Sequence, residues 1–593
     1  MTTPQPLVVA AGPDLPEPGQ RVGDQVAHRA HLHPDHPAVI CGDRSLSYRE
    51  LTSAARKVAE RLAADPHGAR SRRIGVWAAR TEATVAHLLG VSLAGRSFVP
   101  LDPGAPADAV AHIRASAGLT VTTDPATGEL HRHGEPDPVT ATPAPPASLA
   151  DEAYVLYTSG STGRPKGVTV SQYNLAASNQ ARLAVYEPFG TPVFLLLSPF
   201  HFDSSMAGLW GTLAAGGTVV VAQEDERRDP AALLRLIDRH GVTHLLTVPG
   251  FYAEVLGCWS ADPGATEALA SLRTVVCAGE ALARSVIDGH FRLLPGVPLG
   301  NEYGPTECTV WSTYRFYREP ARSTIGFPVP GSSLHLLDDG LRPVAAGEVG
   351  QIAVSGRQVA GGYVGDPQRT EARFVVLDDG STAPVRAYLT GDLGRWTAQD
   401  GLEFVGRLDN EVKIRGVRIT LEAIEEVLTG HPDVQAACAA YDGSTSTCYA
   451  FVVAAPGRTP DPAAIRRAAE AALGAAAVPD RVVLTDSLPR TAHDKVDRAA
   501  LLASAVRPER PAAEAAGDGL ADRITRAWED ILDVGVVSGA QANFFELGGN
   551  SLTVLRLTRA LGRIAGRRIA VKDVYRAGTI AEQVALLAGS AAG

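Results

Sequence analysis

The chain has 593 residues, of which 45% are hydrophobic and 20% are charged, and its formal net charge is −10. This length exceeds what one hydrophobic core organises, so three or four domains of about 150 residues are expected. The composition, without any apolar run of roughly 20 residues, excludes an integral membrane protein. The acidic balance argues against a nucleic-acid partner.

The N-terminus and the cysteines predict a cytoplasmic protein. The opening residues MTTPQPLVVAAGPDLPEPG lack a basic leader followed by an apolar stretch of signal-peptide length. The cysteines show neither CxxC spacing nor a metal-like Cys/His pattern, so we interpret them as reduced, mostly packed thiols. They are Cys41, Cys258, Cys277, Cys308, Cys438 and Cys448.

Apolar runs typical of strands alternate with amphipathic helical runs in the first half of the chain. The strands predicted are VFLLL (193–197), TVVVA (218–222), THLLTV (243–248) and RTVVCAG (273–279), and the helices include GLWGTLAAGG and PAALLRLIDRHG. This alternation predicts an α/β region with sheets covered on both faces. From about residue 341, short strands separated by glycines predict a smaller β-rich element.

Three further segments follow. Residues 411–500 have the pattern of a compact α+β unit, with strands VKIRGVRI and CYAFVVAA and helices LEAIEEVLTGH and AAIRRAAEAAL. The stretch VRPERPAAEAAGDG has no apolar periodicity and predicts an extended linker. Helical spacing in DRITRAWEDIL and SLTVLRLTRALGRIAG then predicts a small helical bundle.

A glycine-rich loop, TSGSTGRPKG, occupies residues 158–167 behind the strand-like AYVLY. Backbone N–H groups and hydroxyls in such a loop can wrap phosphate oxygens, and Lys166 adds a cation. The spacing differs from the Walker pattern GxxxxGK[ST]. On its own the loop is as compatible with a flexible turn as with a phosphate site.

Serial motifs decide between these readings. They are LSYREL (46–51), SLAGRSFVPLD (92–102), the glycine loop, HFDSS (201–205), NEYGPTE (301–307), GEVGQIAVSG with VAGGYV (347–364), YLTGDL (388–393), GRLDNEVKIRGVRI (406–419) and PRTAHDKVDR (489–498). In this order they resemble the motifs of nonribosomal peptide synthetase adenylation domains, within the adenylate-forming superfamily that includes acyl-CoA synthetases and luciferase. The resemblance covers about residues 20–503.

FFELGGNSLTVLRL (544–557) resembles the phosphopantetheine attachment site of a peptidyl carrier domain. A Gly-Gly turn before a helix would present Ser551 at the helix start, where N–H groups and the dipole favour a phosphodiester. The resemblance implies an adenylation core with two α/β subdomains and a β-barrel-like element (1–408), a mobile α+β subdomain (409–503), a linker (504–518) and a four-helix carrier (519–590).

The resemblance also implies roles for residues. The phosphates of ATP would be held by Thr158, Ser159, Gly160, Ser161, Thr162, Gly163 and Lys166. The adenosine would meet Asn301, Tyr303, Asp392 and Arg407. Thr306 would contact a phosphate, Glu307 would bind Mg²⁺, and Lys495 would stabilise the transition state, although His493 and Asp494 replace the usual Asn-Gly before that lysine. Asp409 would be the hinge, and Gly416 would face the pantetheine tunnel.

The same resemblance implies a side-chain pocket. Its lining is expected from Asp203, Ser204, Ala207, Thr247, Val276, Ala278, Glu302, Val310 and Trp311, closed by Lys495. Asp203 would pair with an α-ammonium, which predicts an amino acid as substrate. A carboxylate at the floor, Glu302, calls for a donor or cation from the substrate unless it bonds only to the protein. Histidine is therefore the first expectation, tyrosine or another hydroxylated aromatic the second, and an ornithine-like cation the third.

We expect a free-standing didomain that activates the amino acid as aminoacyl-AMP and loads it on its own carrier, using ATP, Mg²⁺ and 4′-phosphopantetheine. No condensation domain or thioesterase pattern is visible. The implied partners are a phosphopantetheinyl transferase, an MbtH-like helper, and a tailoring oxidase or downstream module. The alternatives are an acyl-CoA ligase and a carrier scaffold with a degenerate adenylation half. Asp203 and the carrier motif weigh against the first, and intact Glu307, Asp392 and Lys495 against the second.

Overall fold

The computed structural model describes residues 8–133, 148–158, 165–378, 383–408, 411–414, 417–443, 447–474, 477–489, 496–505, 519–532, 539–545, 547, 549 and 551–588. Within these ranges, no helix combines the length and the apolar character that a bilayer crossing requires.

The first part of the chain alternates strands and helices. Up to residue 158 these are β1 (Ala10–Ala11), α1 (Val22–Leu32), β2 (Pro37–Cys41), β3 (Arg44–Ser47), α2 (Tyr48–Ala64), α3 (Pro66–Arg70), β4 (Arg73–Trp77), α4 (Glu82–Leu93), β5 (Ser97–Leu101), α5 (Ala107–Ala117), β6 (Val121–Thr123), β7 (Leu130–Arg132) and β8 (Glu152–Thr158). Up to residue 317 they are β9 (Lys166–Ser171), α6 (Gln172–Tyr186), β10 (Val193–Leu196), α7 (Asp203–Ala215), β11 (Thr218–Val221), α8 (Pro230–His240), β12 (His244–Thr247), α9 (Pro249–Trp259), α10 (Ala265–Ala268), β13 (Thr274–Ala278), α11 (Arg284–Leu293), β14 (Leu299–Tyr303) and β15 (Thr313–Tyr317).

The later elements are mainly strands and then helices. They are β16 (Phe327–Pro328), β17 (Ser332–Leu337), β18 (Val349–Gly356), β19 (Gly362–Tyr363), α12 (Pro367–Arg373), β20 (Phe374–Leu377), β21 (Val385–Thr397) and β22 (Gly401–Arg407). Beyond residue 410 they are β23 (Glu411–Ile414), β24 (Val417–Thr420), α13 (Leu421–Thr429), β25 (Val434–Asp442), β26 (Thr447–Ala454), α14 (Pro462–Leu473), β27 (Arg481–Leu484), α15 (Arg498–Ala505), α16 (Leu520–Leu532), α17 (Ser551–Ala565), α18 (Val571–Arg576) and α19 (Ile580–Ala588).

Two mixed sheets form the large α/β region. One has the strand order β16-β15-β14-β13-β12-β10-β11-β2-β3, and its six strands from β14 to β2 run parallel. The other has the order β19-β9-β8-β5-β4-β6-β7. Helix α4 contacts strands of both sheets and is buried nearly throughout, which explains why its sequence is apolar on every face. The predicted α/β fold class is confirmed.

The smaller elements follow the predicted order. An antiparallel sheet of β1, β17, β18, β21, β20 and β22 stands where the barrel-like element was expected. The predicted strand VKIRGVRI forms two antiparallel strands, β23 and β24, on either side of residues 415–416. In the helical unit, Ile524, Trp528 and Leu532 recur at helical spacing and are all buried, so one stripe of α16 faces the core of the bundle.

Candidate active site

The candidate pocket lies at the carboxyl ends of three neighbouring parallel strands. Thr247 ends β12, Ala278 ends β13, and Glu302 lies near the end of β14. The register pairs Thr247 with Cys277 and Ala278 with Glu302, so these ends meet at one edge of the sheet. Open α/β sheets bind ligands at this edge. Ala207 and Val276 are buried there.

Asp203 begins α7, five residues before the helix predicted from GLWGTLAAGG. Thr306 donates its hydroxyl to Asp203 Oδ2 at 2.5 Å. Burial raises the pKa of Asp203, while this hydrogen bond and the charge of Lys413 lower it. A carboxylate at a helix N-terminus is suited to an ammonium ligand, which it can bind through charge-assisted hydrogen bonds. Beside it, Ser204 donates to Ser198 Oγ at 2.9 Å.

A buried ion pair joins the lysine after the glycine loop to the NEYGPTE motif. Lys166 Nζ lies 3.0 Å from Glu307 Oε1 and 4.8 Å from the centroid of the Tyr363 ring. The Tyr363 hydroxyl donates to the same Glu307 oxygen at 2.7 Å. Burial and Glu307 raise the pKa of Tyr363, so its hydroxyl stays a donor. We call Lys166, Glu307 and Tyr363 the phosphate-side triad.

Three residues assigned to the nucleotide come together beside this triad. The Tyr303 hydroxyl donates to Asp392 Oδ2 at 2.5 Å, and Arg407 pairs with Asp392 Oδ1. Burial and the charge of Asp392 raise the pKa of Tyr303 well above its ordinary value. Asn301, one strand position from the pocket floor, donates its amide to Thr324 O at 2.8 Å. The four predicted adenosine contacts are thus held by the protein in fixed positions.

The pocket floor differs from the prediction. Glu302 is buried and accepts four hydrogen bonds: from Arg182 Nη1 at 2.8 Å (Oε1) and 3.1 Å (Oε2), from Arg182 Nη2 at 3.1 Å (Oε2), and from the Tyr186 hydroxyl at 2.5 Å (Oε1). A carboxylate offers about four acceptor positions, so this one is saturated. The expectation that Glu302 needs a donor from the substrate is therefore wrong.

We call Arg182, Glu302 and Tyr186 the floor triad. Burial is the largest single influence on Arg182 and disfavours its charge, but the charges and hydrogen bonds of Glu302 and Tyr186 together keep the pKa of Arg182 above its ordinary value. Burial and Glu302 also raise the pKa of Tyr186. Arg182 additionally lies over the Trp311 ring, 4.2 Å from its centroid. One face of Trp311, expected to bound the substrate, is therefore covered by a protein cation.

The backbone is strained just before Trp311, the residue expected to bound the substrate. Thr309 and Val310 have φ values of 50° and 84°, which are costly for β-branched residues. Hydrogen bonds hold the turn, since Thr309 donates to Gln358 O at 2.7 Å and its carbonyl accepts from Ser178 at 2.9 Å. Strain of this kind concentrates at binding sites, and here it sets the position of Trp311.

Part of the predicted site lies outside the described residues. This applies to Ser159, Gly160, Ser161, Thr162 and Gly163 of the loop, to Lys495, and to Asp409 and Gly416. Thr158, the first residue of the loop, is described, and among the described residues its buried hydroxyl has no hydrogen-bond partner. An unsatisfied hydroxyl at the mouth of a glycine loop fits a phosphate oxygen.

Ser551 is the first residue of α17, while its side chain is outside the described part. The preceding turn is tight: Gly549 N–H donates to Phe544 O at 2.8 Å, and a Cβ at Gly549 would lie 2.2 Å from the Phe544 ring. Only glycine fits this approach. A helix start behind such a turn suits the phosphodiester of 4′-phosphopantetheine.

Sequence reasoning missed Arg182, Tyr186 and Tyr363. Arg182 and Tyr186 are four residues apart on α6 and share one helix face, but nothing in the sequence says that this face meets β14. Tyr363 stood within the quoted motif VAGGYV, and no role was assigned to it. Glu307 is a ligand of the type that Mg²⁺ takes, since that ion uses one or two carboxylates together with substrate phosphates, but Lys166 and Tyr363 now contact its Oε1, so Mg²⁺ would compete with the ammonium there.

Comparison with known proteins identifies the family of the chain. Residues 26–364 match the model of the AMP-binding enzyme family, residues 423–495 its C-terminal domain, and residues 522–587 the phosphopantetheine attachment site. Novobiocin biosynthesis protein H of Streptomyces niveus is 31% identical, with 97% of each chain covered. Phosphinothricin tripeptide synthetase PhsC of Streptomyces viridochromogenes is 34% identical over 92% of this chain.

The chain spans about half the length of two phosphinothricin tripeptide synthetases and 16% of a plipastatin synthase of Bacillus subtilis. Among solved structures, holo-PA1221, described as a nonribosomal peptide synthetase protein with adenylation and carrier domains bound to a vinylsulfonamide inhibitor, superposes with a TM-score of 0.78. Its identity is 27%, with 95% of this chain and 96% of that chain covered. AMP-binding enzymes use ATP and Mg²⁺, and the attachment domain implies 4′-phosphopantetheine. The chain belongs to the AMP-binding, adenylate-forming enzyme family and has the adenylation–carrier arrangement of the nonribosomal peptide synthetases.

Proposed function

We propose that this chain activates an L-amino acid with ATP as aminoacyl-AMP and loads it as a thioester on its own carrier domain for secondary-metabolite biosynthesis. The observation that carries the proposal is Asp203, a half-buried carboxylate at the start of α7. It lies within hydrogen-bond reach of Thr306, the neighbour of Glu307. A substrate ammonium at Asp203 would place its carboxylate beside the phosphate-side triad.

The chemistry joins two anions. A carboxylate oxygen attacks the α-phosphorus of ATP, a P–O bond forms, and the bond from the α-phosphorus to the bridging oxygen breaks to release pyrophosphate. Lys166, currently paired with Glu307 at 3.0 Å, is positioned to move to the β,γ-phosphates. Mg²⁺ held at Glu307 supplies charge neutralisation. Positioning and fixed positive charge dominate such a reaction, and we assign Lys495 and Thr306 to the same task.

The adenosine is proposed to lie on Tyr303, with Asn301 near its amine and with Asp392 and Arg407 at the ribose. The hydrogen bonds from Tyr303 and Arg407 to Asp392 support this assignment, because they fix the carboxylate that would accept from ribose hydroxyls. For loading, Ser551 is the proposed attachment residue, Asp409 the hinge, and Gly416 the residue facing the arm.

The amino acid is proposed to have a neutral ring that hydrogen-bonds. Arg182 lies at the floor with its charge balanced by Glu302, so a second cation there would meet the guanidinium without an uncompensated carboxylate. That disfavours ornithine and the imidazolium form of histidine. Neutral histidine and tyrosine remain, and the small Ser204, Ala207 and Ala278 leave space for either ring.

We also propose the domain boundaries, the cellular location and the partners of the chain. The domain boundaries are proposed at 1–408, 409–503, 504–518 and 519–590. A cytoplasmic location is proposed because the six cysteines are scattered along the sequence without the spacing of a disulfide framework. A phosphopantetheinyl transferase is needed to prime Ser551, whereas an MbtH-like helper and a tailoring oxidase or synthetase module are proposed from family resemblance.

The test is amino-acid-dependent ATP–pyrophosphate exchange across a panel with histidine, tyrosine and ornithine, followed by intact mass of the phosphopantetheinylated protein. We expect exchange with histidine or tyrosine and a mass gain equal to that residue on the carrier. Exchange with ornithine alone would refute the neutral-ring proposal. Absence of exchange with any amino acid, with a suitable helper present, would refute the proposed function, and release of free CoA thioester would favour an acyl-CoA ligase.

A further inference from the structure

The carrier domain meets the adenylation core through two helices, α17 and α9. Arg556 Nε donates to Glu254 Oε1 at 2.7 Å, and Arg559 Nη2 donates to Glu254 Oε2 at 2.5 Å. The Glu254 side chain is only 7% exposed. Each carboxylate oxygen is thus occupied by a different arginine, three residues apart on one face of α17.

The surface of α9 is shaped for these arginines. A Cβ at Gly257, one turn beyond Glu254, would lie 1.8 Å from Arg559 Nη1, so any other residue would force that guanidinium to shift from its present position. Phe251, one turn before Glu254, packs against both the core of the nine-stranded sheet and the core of the carrier. A second ion pair joins Arg568 to Asp262 beyond the end of α9.

The C-terminal subdomain holds the carrier differently. Arg466 donates to Phe545 O at 2.9 Å, and Arg481 donates to Leu532 O at 2.6 Å. Both acceptors are backbone carbonyls, which every carrier domain presents whatever its sequence. Discrimination between carriers therefore depends on the side-chain pairs at α9.

We propose that Glu254 and Gly257 form a socket that accepts a carrier helix with arginines five and eight residues after the attachment serine. Ser551 begins α17, so the socket grips that helix within about three turns of the attachment point. This grip fixes where the start of the helix, and hence the prosthetic arm, meets the core. Loading depends on the socket, and adenylation does not. The inference rests on the proposed function for its main readout.

The experiment uses the full chain after phosphopantetheinylation, checked by intact mass. In Arg556→Glu/Arg559→Glu, we expect the carrier loading rate to fall about tenfold or more, with pyrophosphate exchange unchanged. Glu254→Arg alone should likewise lower the loading rate and leave pyrophosphate exchange unchanged. The triple variant Glu254→Arg/Arg556→Glu/Arg559→Glu restores opposite charges across the interface and should recover most of the loading.

Matched controls carry the same charge changes on exposed positions nearby. They are Arg563→Glu, one turn further along α17, and Glu267→Arg in α10, both exposed. We expect both to load at the wild-type rate. Wild-type loading in Arg556→Glu/Arg559→Glu, a triple variant no better than the double, or an equal loss in Arg563→Glu would each overturn the socket.

A second readout needs no substrate. Hydrogen–deuterium exchange of residues 249–259 should be slower in the wild-type chain than in Arg556→Glu/Arg559→Glu, because the docked carrier covers α9. If the chain activated no amino acid, the difference in hydrogen–deuterium exchange would still test whether the carrier docks on α9. Equal exchange in the two proteins would refute the docking, whatever the outcome for the proposed function.

Discussion

The phosphate-side triad and the floor triad contain the same groups, a cation, a glutamate and a tyrosine, yet they differ in how the cation is held. Lys166 presents one ammonium to Glu307 across 3.0 Å. Arg182 instead forms three hydrogen bonds with both oxygens of Glu302 and stacks on Trp311. A lysine is a point charge that can change partners, whereas a forked guanidinium is fixed by its geometry. The first triad is built for ligand exchange and the second for support.

The largest effect should come from breaking the floor triad. Arg182→Met leaves Glu302 buried without a cation, and we expect the core to lose about 3–5 kcal/mol of stability. Urea unfolding followed by circular dichroism measures this loss. Replacing both partners, as Arg182→Met/Glu302→Leu, should be far less destabilising, because no charge stays unpaired. A loss no greater than that of Lys166→Met would contradict the contrast between the triads.

The next largest effect should be a loss of activity when the phosphate-side triad is changed. Glu307→Gln removes the proposed Mg²⁺ ligand, and we expect exchange to fall about 10²- to 10³-fold, with a smaller loss of stability than in Arg182→Met because the neutral amide can still accept hydrogen bonds from Lys166 and Tyr363. Amino-acid-dependent pyrophosphate exchange gives the rate and urea unfolding the stability. If stability fell as in Arg182→Met while turnover persisted, the two triads would have the same structural role.

Asp203→Asn should raise KM for the amino acid about 10- to 100-fold, because hydrogen bonds to charged groups contribute about 1.5–3 kcal/mol, and should leave KM for ATP unchanged. Burial raises the pKa of Asp203, so on acidification it takes up a proton at a higher pH than an ordinary aspartate. The wild-type KM should therefore rise as the pH falls towards that raised pKa, and the variant should show a flat profile over the same range. Parallel profiles would argue that another group binds the ammonium.

The smallest effects are expected from a matched pair of tyrosine-to-phenylalanine variants, one in each triad. Tyr186→Phe removes one of the four hydrogen bonds to Glu302 and should cost about 1 kcal/mol of stability without altering exchange. Tyr363→Phe should leave stability nearly unchanged and lower exchange, because Lys166 and Glu307 lose a shared neighbour. Thermal unfolding and exchange measured on both variants give the result, and an inverted pattern would reverse the assigned roles.

The sequence predicts the order of elements well where short apolar runs alternate with helical runs, as from β10 to β13. It does worse where tertiary pairing overrides composition. The strand β25, VQAACAAYD, is rich in alanine, which has low strand propensity, and was not predicted; its pairing with β26 forms it. The turn within VKIRGVRI was also missed, because its flanks look like one continuous strand.

In the candidate site too, the sequence predicts local motifs but does not predict partners that lie far away along the chain. Asp392 and Arg407, which the resemblance assigns to the nucleotide, form an ion pair with each other, and their contacts with ATP stay a prediction. The partner of Glu302 was not predictable, because Arg182 lies 120 positions away and no motif marks it. A burial argument about one carboxylate fails when a distant helix supplies the counter-ion, so the choice of amino acid was the weakest inference from sequence.

The strained turn at Thr309 and Val310 bears on attempts to retarget the enzyme. A non-glycine backbone with positive φ persists only while its surroundings over-determine it, and here the hydrogen bonds through Gln358 and Ser178 do so. Exchanging individual lining residues would leave this scaffold in place, and Trp311 with it. Altering the selectivity would therefore require transplanting the turn together with the two residues that hold it, Ser178 on α6 and Gln358 before β19.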